Sequence, residues 1–390
     1  MQVVIADDDA MQRVFASSVV SRMGYQPLLA EDGLAALRLI EESGASILLC
    51  DLDMPGLNGH EVTRRIRQAD LGRYIHIIML TATDQAQELH RALEAGVDDF
   101  MTKPLNAAVL KIRIRAAVRL IEHEITLSER NRALEEAKQR IEHDLDIAAE
   151  AQRRLLPDLA GRIRGCRFAS AFVPSAYVSG DMFGCLPLSR DLLGFYAIDV
   201  AGHGVHAALM SVAIGHLVTT EFFASLTLSG GGTPEPAALA RELNLRFYRH
   251  DGTDYFTMFC GILDQRNARL HYCQAGYPSP ILAARCGRTQ MLGDGGYPVG
   301  LLTSAGFESQ DIDMQPGQML VLCSDGVSEA ENANGEAFGD DRLQSLISRH
   351  AGSGATAVPA AVVADLAEWR RGRPLEDDLT VFALERSLSA

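Results

Sequence analysis

At 390 residues the chain is too long for one ordinary compact core, so two or three domains are expected. Hydrophobic residues make up 47% and charged residues 22%, the balance of a folded globular protein, which excludes a disordered chain. A formal net charge of -15 argues against non-specific binding to nucleic acid or an anionic membrane.

The seven cysteines (Cys50, Cys166, Cys185, Cys260, Cys273, Cys286 and Cys323) are widely spaced and contain no C-x-x-C pair. Reduced, partly buried thiols are expected instead of a zinc knuckle or disulfide framework, and with them a cytoplasmic location. The N-terminus opens directly on the strand-like QVVIA, and no stretch reaches transmembrane length. Neither secretion nor membrane spanning is expected.

Over residues 1–120 short aliphatic runs alternate with amphipathic helical segments: VVIA, a helix near 11 to 23, PLLA, a helix near 33 to 42, SILLC, a helix from about 58, HIIML, a helix near 85 to 95, DDFMT and a final helix. The alternation predicts βαβ units, hence an α/β domain with a five-stranded parallel sheet covered on both faces. Sites in such sheets lie at the carboxyl ends of the strands. Those ends carry Asp7 and Asp8 after strand one, Asp51 after strand three, Thr81 after strand four and Lys103 after strand five.

A single Asp at a strand end is usually a turn or cap, but five polar groups in this strand order point to chemistry. Three converging carboxylates repel unless a divalent cation and a lysine share the site. Phosphorylation of Asp51 fits: Asp51 attacks a phosphoryl group, Mg²⁺ neutralises the oxygens, and Lys103 and the Thr81 hydroxyl hold the product. Through IADDDAMQR, LLCDLDMPGLNG, IIMLTAT and DDFMTKP this region closely resembles response-regulator receivers. The resemblance implies Asp51 as phosphoacceptor with a sensor histidine kinase as donor, Asp7 and Asp8 as metal-site acids, the Asp53 carbonyl as a further ligand, and Phe100 at the aromatic switch position.

From about Asn106 to Leu156 there is no glycine or proline, so one very long helix is expected, its 121–156 portion forming a linker. Leu120, Leu127, Leu134, Ile141, Ala148 and Leu155 recur every seven residues, one seam of a coiled coil. The companion seam is poor, with Glu124, Asn131 and Lys138 before Leu145. A solvated helix is the bland alternative; a parallel homodimer is the favoured expectation.

Beyond Pro157 strand-like runs (RFASAFV, LLGFYAID, FTMFCGILD, RLHYCQA, MLVLCSD, LTVFALE) are interrupted by two helices near 205 to 223 and 236 to 250, predicting an α+β domain of stacked sheets flanked by helices over 157–390. Asp181, Asp199, Asp325, and Asp377 with Asp378, stand where apolar runs begin or end, with Gly180, Gly202 and Gly326 allowing close backbone approach. Each alone reads as a turn or cap. Together they offer hard oxygen ligands on separate segments, which favours Mg²⁺ or Mn²⁺ over zinc; two such ions can activate a water for in-line attack on phosphorus.

In AAEAQRRLLP, YVSGDMFG, YAIDVAGHGVHAALMS, FTMFCGILD, QAGYPSP, CSDGVSEAENANGEAFG and LEDDLTVFAL, in order across roughly 147 to 386, the chain resembles metal-dependent PPM (protein phosphatase 2C) serine/threonine phosphatases of the bacterial sporulation and stress-regulator branch. The resemblance implies Asp181, Asp199, Asp325 and Asp377 as metal-binding acids, the Val200 carbonyl as a backbone ligand, and Asp378 as a neighbour or alternate. His203 reads more readily as structural than as a general acid. Gly184 replaces a second Asp of many relatives, Ser179 a common Gly, and Tyr277 a His, the last expected to alter substrate fit. The function implied is a phosphorylation-controlled phosphatase acting on a regulatory phosphoprotein such as an antagonist of an anti-sigma factor. The same order of domains is similar to RssB-like adaptors, which bind a stress sigma factor and deliver it for proteolysis.

Overall fold

The computed structural model describes residues 1–82, 86–228, 233–250 and 254–387 and divides into two compact units, Met1–Gln139 and Arg140–Ala390. The expected helix start at residue 85 lies outside the described residues.

The first unit runs β1 (Gln2–Ala6), α1 (Ala10–Arg22), β2 (Gln26–Ala30), α2 (Gly33–Glu42), β3 (Ile47–Asp51), α3 (Gly59–Gln68), β4 (His76–Thr81), α4 (Ala86–Ala95), β5 (Asp99–Thr102) and α5 (Ala107–Leu155). All strands are parallel, in the order β2-β1-β3-β4-β5. Alternate residues of the buried strands go to opposite faces. Val4, Leu48, Ile77 and Met79 meet α2 and α3, while Ile5, Leu49 and Leu80 meet α1 and the start of α5. Both faces are therefore dry, which explains the near-continuous aliphatic strands.

Asn106 caps α5, its Oδ1 accepting from Ala108 N at 2.8 Å and Val109 N at 3.3 Å. Leu110, Ile114, Ala117 and Ile121 bury one stripe of the helix. Every residue from 122 to 141 is then exposed, including Leu127, Leu134 and Ile141 at 54%, 69% and 61%.

The second unit continues with β6 (Ala160–Ile163), β7 (Cys166–Val173), β8 (Asp181–Pro187), β9 (Leu192–Val200), α6 (Val205–Leu217), α7 (Thr220–Thr227), α8 (Ala237–Phe247), β10 (Phe256–Asp264), β11 (Arg269–Ala275), β12 (Ile281–Ala284), β13 (Thr289–Met291), β14 (Gln310–Asp313), β15 (Gln318–Cys323), α9 (Asp325–Ser328), α10 (Asp340–His350), α11 (Val358–Arg370) and β16 (Leu379–Arg386). Its sheets are ordered β14-β11-β10-β9-β8 and β13-β12-β15-β16-β7-β6. Phe168, Phe183, Phe195, Phe259 and Phe382 interlock between them. Met182, Ile198 and Met258 pack on α6 to α8, and Val321 and Val381 on α10 and α11. The result is four layers, helix–sheet–sheet–helix.

One expected helix proves to be two. Thr219 breaks the segment 205 to 223 because its side chain accepts from Phe222 N at 3.2 Å and starts a new helix. No single helix among the described residues is long and apolar enough to cross a membrane. All seven cysteines are free thiols, five of them buried.

Two candidate metal centres

In the first unit the strand ends assemble the predicted set. Asp7, Asp8 and Asp51 each place a carboxylate oxygen within 4.8 Å of the others, the tightest acid cluster of this kind among the described residues. Lys103 Nζ bridges them, 2.9 Å from Asp7 Oδ2 and 2.8 Å from Asp51 Oδ2. Asp7, Asp51 and Thr81 are buried, whereas Asp8 and Asp53 are exposed. Burial raises the pKa of the Asp51 carboxyl, and Lys103 opposes it. Burial lowers Lys103, but its bonds to Asp51 and Asp7 outweigh that and hold the ammonium above its ordinary value. Phe100, on β5, is half-buried against the α2–α4 face. Gly59 starts α3 directly beneath the site, where a Cβ would lie 2.6 Å from the Asp51 carbonyl oxygen.

In the second unit β8 and β9 place Asp181 directly opposite Asp199. Like charges facing each other on one ladder repel. From the other sheet, the β15–β16 pairing is extended by Ser324, whose N donates to Thr380 O and whose Oγ accepts from Thr380 N, both at 2.9 Å. This stitch sets Asp325 beside Asp377. Gly326 permits it, since a Cβ there would lie 2.2 Å from the Asp378 carbonyl oxygen.

Burial, then the charge of Asp199, raises the Asp181 carboxyl well above its ordinary range. Burial, then Asp325, raises Asp199; burial, then Glu329, raises Asp325. Asp377 is raised by burial, with Asp325 adding, although its side chain is on the exposed rim. Both Asp181 oxygens and Asp325 Oδ1 are buried without a hydrogen-bond partner. Buried, repelling and unbonded carboxylates are costly, and this all-oxygen donor set fits hard divalent cations. A site for two ions about 3.5–4 Å apart spreads its ligands more widely than a one-ion cluster.

The decisive comparison is with known families: a model of stage II sporulation protein E (SpoIIE) matches residues 189–387, about half of the chain. The chain belongs to the SpoIIE family. A response regulator receiver domain model matches residues 3–115, so a receiver precedes the SpoIIE region. Regulator of RpoS from Escherichia coli (strain K12) is 27% identical over 314 residues, covering 78% of this chain and 89% of that protein. Transcriptional regulatory protein AfsQ1 from Streptomyces coelicolor (strain ATCC BAA-471 / A3(2) / M145) is 37% identical over 123 residues, 32% of this chain and 53% of that protein. The solved SiaA-PP2C domain of Pseudomonas aeruginosa aligns with a TM-score of 0.54 at 23% identity, covering 64% of this chain and 98% of that one. The SpoIIE region thus has the PP2C-type fold.

Several residues of the second unit take places the sequence did not reveal. Asp378 has both oxygens engaged: Oδ1 accepts from Ser175 N and Oγ at 2.7 and 2.9 Å, Oδ2 from Gly180 N at 2.8 Å. His203 is exposed just ahead of α6, close enough to Asp377 to lower its carboxyl pKa in part. Gly184 has no room for a side chain, since a Cβ would meet the Tyr196 ring at 2.4 Å. Tyr277 is 2% exposed, packed between the sheets, with Asp181 and Asp199 near enough to add to the upward shift that burial gives its hydroxyl.

Proposed function

We propose that the chain is a two-component response regulator whose receiver phosphorylation controls a metal-dependent phosphoserine/phosphothreonine protein phosphatase. The observation that carries the phosphatase reading is the set of buried, unbonded oxygens on Asp181 and Asp325, facing Asp199. Asp181, Asp199, Asp325, Asp377 and the Val200 carbonyl hold two Mn²⁺ or Mg²⁺ ions, and Asp378, its oxygens already engaged, positions the Gly180 loop. Bound there, the ions supply Lewis acidity toward phosphoryl oxygens and lower the pKa of a water. The protein's own part is to hold these carboxylates fixed and facing one another, and to present the exposed Asp377 rim to a phosphorylated side chain. The substrate is a regulatory phosphoprotein of a sigma-factor pathway.

At the receiver, Asp51 accepts the phosphoryl group from a sensor histidine kinase. Asp7, Asp8, Asp51 and the Asp53 carbonyl hold Mg²⁺, Lys103 and Thr81 bind the product, and Phe100 is the switch residue. Asp51→Asn is expected to abolish the mass increase produced by acetyl phosphate with Mg²⁺, read by intact-protein mass spectrometry. The exposed heptad seam of α5 supports a parallel homodimer. Leu134→Lys is expected to convert dimer to monomer in multi-angle light scattering. Seven free thiols accord with a cytoplasmic location.

A second reading is favoured by the similarity to Regulator of RpoS over 78% of this chain: the PP2C-type domain serves as a binding surface for a stress sigma factor. Mn²⁺-dependent hydrolysis of a phosphoserine peptide by the full-length protein separates the two. Turnover abolished by chelation supports the phosphatase. Absence of turnover with Mn²⁺ or Mg²⁺, with the receiver phosphorylated or not, together with sigma-factor binding, supports the adaptor.

A further inference from the structure

Near the end of α5 the exposed run is interrupted at Ala149 and Gln152, 5% and 6% exposed, while residues 150, 151, 153 and 154 remain exposed. Ala149 packs on Val178 and Ala208. A buried glutamine is costly unless its amide is fully used. Gln152 Oε1 accepts from Ser179 N at 3.0 Å, and Nε2 donates to Ser179 O at 2.6 Å and to Ser211 Oγ at 3.5 Å. The side chain thus bonds both backbone groups of one residue, as a neighbouring strand would. Among the described residues no strand does this for Ser179, which lies just before β8.

Ser179 is itself fully buried, and its Oγ accepts from Asp181 N at 3.0 Å. The intervening Gly180 N is held by Asp378 Oδ2. Three consecutive amides leading into Asp181 therefore each have a dedicated side-chain acceptor, on Gln152, Asp378 and Ser179. The serine that departs from the glycine of many relatives is the link between Gln152 and Asp181.

We propose that Gln152 is a positioning residue for the second-unit metal site, holding Ser179 so that the unbonded carboxylate of Asp181 projects to its place among the ligands. This rests on the metal-site reading above. The last turns of α5 then belong to the site as much as to the linker. Residues that orient metal ligands typically contribute about 10- to 100-fold to metal affinity.

The test is hydrogen exchange of the segment 175–183 in the full-length protein, titrated with Mn²⁺ alone, so that the receiver site does not enter the readout. In the wild type, protection of this segment is expected to rise with Mn²⁺. Gln152→Met, which keeps the side-chain volume and loses the bonds, is expected to shift the midpoint about 10- to 100-fold higher and to speed exchange of the Ser179 amide. Gln152→Glu, which keeps an acceptor for Ser179 N but loses the donor to Ser179 O, is expected to shift it in the same direction and serves if the first variant fails to fold. The exposed Arg153→Ala is expected to match the wild type. An unchanged midpoint in both Gln152 variants overturns the proposal while leaving the metal site standing. No Mn²⁺-dependent protection in the wild type overturns the metal-site reading itself, and the proposal with it.

Discussion

Asp325→Asn is expected to lower Mn²⁺-dependent phosphopeptide hydrolysis at least about a hundredfold, the loss of roughly 3 kcal/mol of transition-state stabilisation, and at the same time to stabilise the metal-free protein. The two effects share one origin. Without cations, Asp181, Asp199, Asp325 and Asp377 all have raised pKa values, Asp199 to about 8. The folded state therefore binds more protons than the unfolded chain between the ordinary carboxylate range and about pH 8. In this window stability falls as pH rises, because the protons that relieve the repulsion are lost. The substitution removes one of these carboxylates and, with it, the largest charge acting on Asp199. Thermal unfolding of the metal-free protein from pH 5 to 8.5 is expected to show a downward slope for the wild type and a shallower one for Asp325→Asn. Mn²⁺ is expected to raise the wild-type transition most at the alkaline end, since the ligands must be deprotonated to bind. A wild-type transition that rises with pH in the absence of metal would contradict this account.

Gly326→Ala is expected to disable the same site by steric means alone. The added Cβ would meet the Asp378 carbonyl oxygen at 2.2 Å and the carbonyl carbons of Asp378 and Asp377 at 3.0 and 3.2 Å, all backbone atoms that cannot rotate away. The start of α9 has to retreat from the entry of β16, carrying Asp325 away from Asp377. Overpacking of this kind costs about 1–3 kcal/mol. A displacement of about 1 Å at a catalytic constellation is enough for a hundredfold loss in rate. Urea unfolding followed in the C-terminal domain and Mn²⁺-dependent turnover are both expected to fall, whereas Gly306→Ala, where a Cβ would meet nothing, is expected to leave both unchanged.

The receiver site was legible in the sequence because its chemistry depends on little more than chain order. Once the βαβ alternation is read, Asp7, Asp51, Thr81 and Lys103 go to one edge of the sheet whatever the details of packing. The C-terminal site was legible as a set of acids but not as a geometry. That Asp181 faces Asp199 is a matter of hairpin register between β8 and β9, and that Asp325 sits beside Asp377 depends on Ser324 stitching two strands 54 residues apart at its bond to the Asp378 carbonyl. Neither is written in a local pattern. Gln152 was hidden for another reason: among Glu, Arg and Ala on a polar helix it looks solvated, and its signal is only its spacing from Ala149 and Leu156, a second stripe offset from the heptad seam.

The 49-residue α5 contains no glycine or proline and runs about 70 Å at 1.5 Å per residue. Such a rod has no built-in kink at which a twist can be lost. It therefore has a phase. Each residue inserted into the exposed 122–141 stretch turns the helix positions beyond it by about 100° about the axis, while seven bring them back to within about 20°. Gln152 and the seam at Leu134 and Ile141 share that helix, so an insertion between Leu134 and Ile141 keeps the seven-residue seam unbroken only in steps of seven, whereas the grip of Gln152 on Ser179 lies wholly beyond it and is untouched.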